Sequence, residues 1–527
     1  MKKYLSGTLL MMVLIASGCS TKESRYSEWS AQPTDDTNPQ AEALPTEQEA
    51  GTEINDKVVP IAQVIPSPLE AHQFKQEEDS TQALLLDAVI TSVDRHFPEL
   101  LAARQEIERA EGQLLASEGG FDPVLRGKGK LKRGFYDTEV FDLEIEQPTT
   151  FMGATIFGGY RYGDGNFALY NGGFETNSAG EFLLGVGIPI LRGSAIDERR
   201  ANLWRSRIER DATDPVVHEK RIAVIRKASK AYWKWVTAGQ QVDVVKGLLD
   251  LAVTRQDKLA KGVAEGQFPS ISLTENERLV VIRQVLLVAA RREFERATLL
   301  LSLYFRDAEG DGIRASENAI PKSIPQVPII QDSELADHIL YGMSHRPELR
   351  LLSYAKTRGQ LDVDLRENKL LPKFDLELYA SQDIGGRVSP KEEFDPTEVG
   401  VGLSLEIPLR RRKARGKLRS ARAKLSKIGH QYRMQADRIE AEVRDAASAL
   451  KRASERVALE RRDLVLALRM QEAEQVAFDE GASDLLRVNI REQATAKARA
   501  TLIKFEANCL TAYAQYVASL GLPMTIK

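Results

Sequence analysis

The amino-acid sequence repeats itself, and that repetition limits the fold more than any other feature. At an offset of 249 residues, His96, Pro98, Glu99, Leu100, Arg109, Glu118 and Pro123 recur as His345, Pro347, Glu348, Leu349, Arg358, Glu367 and Pro372. Ile188-Pro189 returns as Ile407-Pro408 at an offset of 219, and Glu265-Gly266 as Glu480-Gly481 at 215. The order is kept while the offset drops by 30, from 249 to 219, so the first copy holds about 30 extra residues between Pro123 and Pro189. One such match could be chance; an ordered set is a tandem duplication. Copies at 81–305 and 333–522 are joined by a linker, 306–332, punctuated by Pro321, Pro325 and Pro328, and a short tail follows at 523–527.

Each copy reads as a helix, strands and two long helices. The strands fall at about 121–191 in the first copy, and at about 373–383 and 397–408 in the second. Val399, Val401, Leu403, Leu405 and Ile407 share one strand face, with Gly400, Gly402, Ser404 and Glu406 on the other. Phe374, Leu376 and Leu378 alternate with Asp375, Glu377 and Tyr379; Phe182, Leu184, Val186 and Ile188 alternate with Leu183, Gly185, Gly187 and Pro189. The opening strand, from Phe121, sets Arg126, Lys128, Lys130 and Lys132 on one face. Two further runs, Phe141–Glu146 and Thr155–Tyr160, read as a hairpin carried by the extra residues. An antiparallel sheet over a soluble core would show the same period, so alternation alone does not prove a membrane.

From Ser194 to Ala264 the pattern stays helical, with a kink or break expected at Pro215; ~70 residues of helix would reach roughly 105 Å. Ile439, Val443, Ala446, Leu450, Ala453 and Val457 form a heptad seam, and Val245, Leu249, Ala252, Gln256 and Leu259 form its counterpart. Tyr232, Trp233 and Trp235 read as packing between such helices rather than as a ligand box.

The N-terminus reads as an export signal: Lys2 and Lys3, an apolar run from Leu9 to Ile15, then Ala16-Ser17-Gly18-Cys19. Residues 20–80 are rich in Glu, Gln, Thr, Ser and Pro, a composition that cannot offset chain entropy, and read as a disordered tether. After residue 18 no stretch approaches the ~20 apolar residues of a membrane helix, so membrane residence requires an acyl anchor or a β-barrel. Two cysteines, Cys19 and Cys509, exclude a disulfide framework, and Cys509 reads as a buried thiol. A net charge of −3 argues against a dedicated nucleic-acid binder. Arg410 to Arg433 nevertheless holds eleven Lys or Arg and no acid, a run suited to anionic headgroups, with a nucleic-acid patch or a plain solvated face as rival readings. No nucleophile elbow, H-E-x-x-H, P-loop, metal-ligand cluster or cofactor fingerprint occurs, so the chain reads as neither an enzyme nor a cofactor carrier.

The duplicated His96-Phe97-Pro98-Glu99-Leu100 and His345-Arg346-Pro347-Glu348-Leu349 carry a resemblance to the TolC-type outer-membrane efflux proteins. Phe121-Asp122-Pro123, the alternating strands Gly185–Pro189 and Gly400–Leu405, and Phe478-Asp479-Glu480-Gly481 with Ser483 and Leu485-Leu486 add to it. The resemblance implies a mainly α fold with membrane β: coiled-coil hairpins in duplicate forming a periplasmic tunnel, and strands given to a trimeric outer-membrane β-barrel. The physics agrees, since two strands per copy make four per chain, too few to close a barrel without oligomerising. Whether the extra hairpin enters the barrel or folds back outside it stays open. The resemblance further implies signal removal at 1–18 and a lipobox whose Cys19 is acylated, tethering 19–80 to the outer membrane. It makes Phe182, Leu184, Val186, Phe374, Leu376, Val399, Val401, Leu403 and Leu405 the lipid face of the barrel. The turns at Gly266-Gln267 and Gly481-Ala482-Ser483-Asp484 become the periplasmic tip that meets an adaptor and an inner-membrane pump. Arg487 and Ile490 fall at the constriction positions, with Arg487 either facing the lumen or paired with Glu492. The function so implied is a passive exit duct for efflux or type I secretion. A lipid-anchored periplasmic scaffold or adaptor without a conducting barrel is the alternative.

Overall fold

The computed structural model describes residues 75–76, 83–167, 175–386 and 397–524. The signal segment, Cys19 and most of the tether lie outside the described residues. In chain order the helices are α1 (Leu86–His96), α2 (Pro98–Glu118), α3 (Glu198–Asp211), α4 (Thr213–Ala264), α5 (Ser270–Leu301), α6 (Leu335–His345), α7 (Pro347–Asn368), α8 (Arg412–Asp479) and α9 (Leu485–Ser519). The strands of the main sheet are β1 (Val124–Lys132), β2 (Thr138–Pro148), β3 (Thr155–Gly165), β4 (Glu181–Pro189), β5 (Lys373–Asp383) and β6 (Glu398–Glu406). A minor parallel pairing joins Lys75–Gln76 to Ile313–Arg314.

The duplicated His-x-Pro-Glu-Leu motif is a corner between helices. Proline forces the residue before it out of the helical region, so Phe97 and Arg346 are extended, with ψ of 119° and 124°. Pro98 and Pro347 then open α2 and α7, where a missing N–H costs nothing. α1 and α6 are each 11 residues long, ending at His96 and His345. On α1, Leu86, Val89, Ile90 and Val93 are buried at helical spacing.

Contacts divide the chain into two units. The first comprises 113–207 and 358–425 of the described chain and contains the sheet; the second comprises 73–112, 208–357 and 426–527 and is helical. In the second unit one core gathers Val89, Val93, Ile225, Tyr232, Trp235, Leu301 and Leu510. Another gathers Ile339, Ile439, Val443, Ala446, Leu450, Val457 and Tyr516, which includes the expected α8 seam. Tyr232, Trp233 and Trp235 are all buried, and Cys509 is a buried free thiol beside Ser454. α8 is 68 residues long, about 100 Å at 1.5 Å per residue.

Three expectations change. The helical stretch from Ser194 to Ala264 is two helices separated at Ala212, and Pro215 sits in the first turn of α4, where a proline is tolerated. The opening strand begins at Val124, because Gly119–Phe121 forms a 3-10 turn and Pro123 breaks the ladder. The α4 seam runs through Leu248, Ala252, Arg255, Leu259 and Gly262, so Leu248 and Arg255 are buried in place of Leu249 and Gln256. An arginine enters that seam because a carboxylate waits for it there.

Candidate functional site

The sheet is one antiparallel meander in the order β1-β2-β3-β4-β5-β6. Six strands, not four, come from one chain: the extra residues of the first copy form β2 and β3, hydrogen-bonded between β1 and β4. Cross-strand register puts the apolar residues in rows, as in Leu125–Ile145–Gly158–Leu184–Ala380–Val399 and Gly127–Leu143–Tyr160–Phe182–Gln382. Val186, Leu378 and Val401 align in the same way, as do Ile188, Leu376 and Leu403, and Phe374 with Leu405. All nine residues expected on the lipid face therefore share one face. On it Val399 is 79% exposed and Leu403 67%, with Phe182, Leu184, Val401 and Leu405 also exposed and Val186, Phe374 and Leu376 half-buried. A continuous exposed apolar face of this extent marks a contact surface.

The opposite face is charged. Arg126 pairs with Glu146, and Arg161 with Glu181, each across neighbouring strands. Lys128 lies opposite Asp142, and Asp375, Glu377 and Glu406 continue the polar face. At one end of the sheet Arg200, 1% exposed, clamps the chain: it pairs with Asp197 at 2.7 Å and donates to the carbonyls of Gly193 and Ser194 at 2.5 and 2.9 Å.

In the helical unit the two expected turns are built alike. Gly266 and Gly481 have φ of 73° and 78°, the left-handed region that glycine enters without strain. Gln267 N–H donates to the Gly262 carbonyl at 2.8 Å, and Ala482 N–H to that of Ala477 at 2.7 Å. This six-to-one bond, with the glycine N–H bonded three residues back, is a Schellman cap that frees the chain to start the next helix. Asp484 caps α9, accepting from the Arg487 N–H at 2.9 Å. Ser483 Oγ donates to Glu474, which Arg491 also approaches at 3.4 Å. The hydroxyl, with Arg491 and Arg487, holds the Glu474 carboxyl below its ordinary value against a smaller opposing effect of burial. The rings of Phe268 and Phe478 stack 6.1 Å apart, bringing the two turns side by side.

Beyond the turns lies a buried charge cluster that sequence reasoning missed. Glu492 on α9 accepts from Arg255 on α4 and, at 2.7 Å, from Arg283 on α5, with the three side chains 2%, 8% and 1% exposed. Arg283 also donates to the Leu248 carbonyl at 2.5 Å, and Arg255 to Asn489 at 2.7 Å. Burial pulls the Arg283 guanidinium below its ordinary value, and Glu492 opposes that pull. The signal that could have found the cluster was Arg255 at a seam position. Because Glu492 is taken, it is not the partner of Arg487, whose guanidinium is 66% exposed and sits 3.7 Å from Asp484. Ile490, one turn on, is 52% exposed.

Among the described residues no helix is long and apolar enough to cross a membrane, and no group of three or more His, Cys, Asp or Glu is placed to hold a metal ion.

Residues 343–522 match the family described as outer membrane efflux protein. Among curated proteins none matches the chain by sequence. Solved structures share its fold at low identity. The outer-membrane channel OprN aligns with a TM-score of 0.58 at 14% identity, over 86% of this chain and 98% of its own. The Campylobacter jejuni outer-membrane channel CmeC gives 0.56 at 13%, over 92% and 94%. The open state of the Neisseria gonorrhoeae outer-membrane channel MtrE gives 0.56 at 11%, over 91% and 98%.

Proposed function

We propose that this chain, whose fold is similar to that of outer-membrane channels and whose residues 343–522 match the outer membrane efflux protein family, is an exit duct. Three copies close a barrel in the outer membrane of a diderm bacterium and continue it as a helical tunnel in the periplasm. Transport is passive; an inner-membrane pump supplies the energy and a periplasmic adaptor docks on the turns around Gly266 and Gly481. Cys19, acylated, adds a lipid anchor.

The observation that carries this reading is the continuous apolar face of a sheet whose other face is charged. Membrane barrels have that division between lipid and lumen. A non-conducting scaffold has no use for it, and its two free sheet edges would be a liability in water. Heat-modifiable trimers in outer-membrane fractions are the expected result, and crosslinkers placed at Gln267 or Ala482 should capture an adaptor. A soluble monomer after Cys19→Ser would sink the reading, and crosslinks arising only from the strand loops would reverse the orientation.

A further inference from the structure

The edges of the sheet are β1 and β6, and both strands are exposed along most of their length. In a bilayer an unpaired edge leaves every other backbone group without a partner, so the two edges must find each other on neighbouring copies. We propose that β6 of one copy pairs with β1 of the next, that the inserted hairpin β2–β3 stays in the wall, and that three copies close an eighteen-stranded barrel. The proposal rests on the three-copy channel reading and specifies its wall and its seam.

The ladder keeps the hairpin in the sheet. It is paired to β1 from Val124↔Glu146 to Lys132↔Thr138, and to β4 from Thr155↔Gly187 to Arg161↔Glu181. Folding it outside the wall would require breaking both ladders and joining β1 to β4 afresh. The hairpin also carries its share of both faces. Phe141, Leu143, Ile145 and Ile156 are exposed on the apolar side, in register with Leu125 and with Leu184 and Val186. Asp142, Glu144 and Arg161 lie on the charged side.

The edges are complementary. An even number of antiparallel strands makes β1 and β6 run in opposite directions, so a head-to-tail contact extends the meander unchanged and a rotation closes it. On the charged face β1 presents Arg126, Lys128, Lys130 and Lys132, while β6 presents Glu398, Ser404 and Glu406. Among the described residues Lys128 and Lys130 have no ion-pair partner within the chain. On the apolar face the large Val399, Val401, Leu403 and Leu405 of β6 meet a strand with Leu125, Gly127, Gly129 and Leu131, where two glycines leave room. Opposite charges and large-to-small packing across one seam are the terms that stabilise a strand pair.

The consequence is size. With strands ~4.8 Å apart and tilted ~40°, eighteen strands give a barrel about 36 Å across the backbone, against about 24 Å for twelve. The cross-section at the outer membrane is thus about twice that of a four-strand-per-chain channel.

Two measurements on the full-length protein from outer membranes test this. Gly127→Cys combined in turn with Val399→Cys, Val401→Cys, Leu403→Cys or Leu405→Cys should give, in at least one pair, a disulfide-linked trimer on denaturing gels. Electron cryomicroscopy should show three-fold particles with a barrel about 36 Å wide. Three-fold particles with a barrel near 24 Å, or intact particles that none of the four pairs crosslinks, would overturn the wall and seam while leaving the channel reading standing. Two-fold particles closing twelve strands would overturn the copy number and with it the proposal. Absence of any membrane oligomer would remove both the proposal and the reading beneath it.

Discussion

At Glu492 a single carboxylate holds two buried guanidinium groups, and the cluster ties α4, α5 and α9 together next to the paired turns. Glu492→Gln keeps the shape and removes the only negative charge of the triad. Stranding buried cations costs about 3–5 kcal/mol, so the variant should lose thermal and protease resistance by a corresponding margin. An unchanged melting temperature would mean that water reaches the arginines. A few residues away the electrostatics are exposed rather than buried. If Arg487 lines the constriction, three symmetry-related guanidinium groups would each contribute on the order of 1–2 kcal/mol to an ion in the pore. Reversal potentials in planar bilayers should then show weak cation selectivity or none in the wild type, rising in Arg487→Asp. Strong cation selectivity that the substitution leaves unchanged would place the constriction elsewhere.

The turn from α8 to α9 is an element with a pH dependence of known sign. Ser483 and Arg491 bind the ionised form of Glu474, so its carboxyl is held below the value it has in the unfolded chain. A depressed carboxyl contributes stability that is full above the unfolded value and is lost as pH falls through the folded one. Amide hydrogen exchange around residues 478–486 should therefore accelerate relative to the rest of α9 as pH drops below about 4.3, the unperturbed Glu value. Ser483→Ala should shift that acceleration to higher pH; identical profiles for the two proteins would dismiss the hydroxyl's role. The turn itself was legible in the sequence, because Gly266 and Gly481 follow long helical stretches and recur in order. Its chemistry was not, since the Ser483–Glu474 bond depends on the capped turn returning to a carboxylate nine residues earlier on α8.

For the whole molecule, the proposed anchor and the proposed barrel are separable in sequence. Cys19 is followed by a long polar segment before α1 begins at Leu86, so acylation and strand pairing need not depend on each other. Cys19→Ser should leave some oligomer in the outer membrane, measurable as heat-modifiable species in membrane fractions. Complete loss of assembly would show that the acyl chain takes part in building the barrel.

What the sequence determined by itself was much of what has a local period, though the α4 seam and the break expected at Pro215 were not among it. Alternation assigned the apolar face from Phe182 to Leu405 and the duplication supplied the plan, while the single leading helix read in each copy is divided in two at the His-x-Pro-Glu-Leu corner. What only tertiary structure decided was pairing between distant segments. The hairpin β2–β3 could have stood apart from the sheet until its ladders with β1 and β4 were seen. The α4 seam was read through Gln256, yet it is Arg255 that is buried, because Glu492, 237 residues away, meets it inside. Periodicity records which side of an element faces inward; it carries no record of which residue, hundreds of positions distant, will arrive to satisfy a buried charge or a free edge.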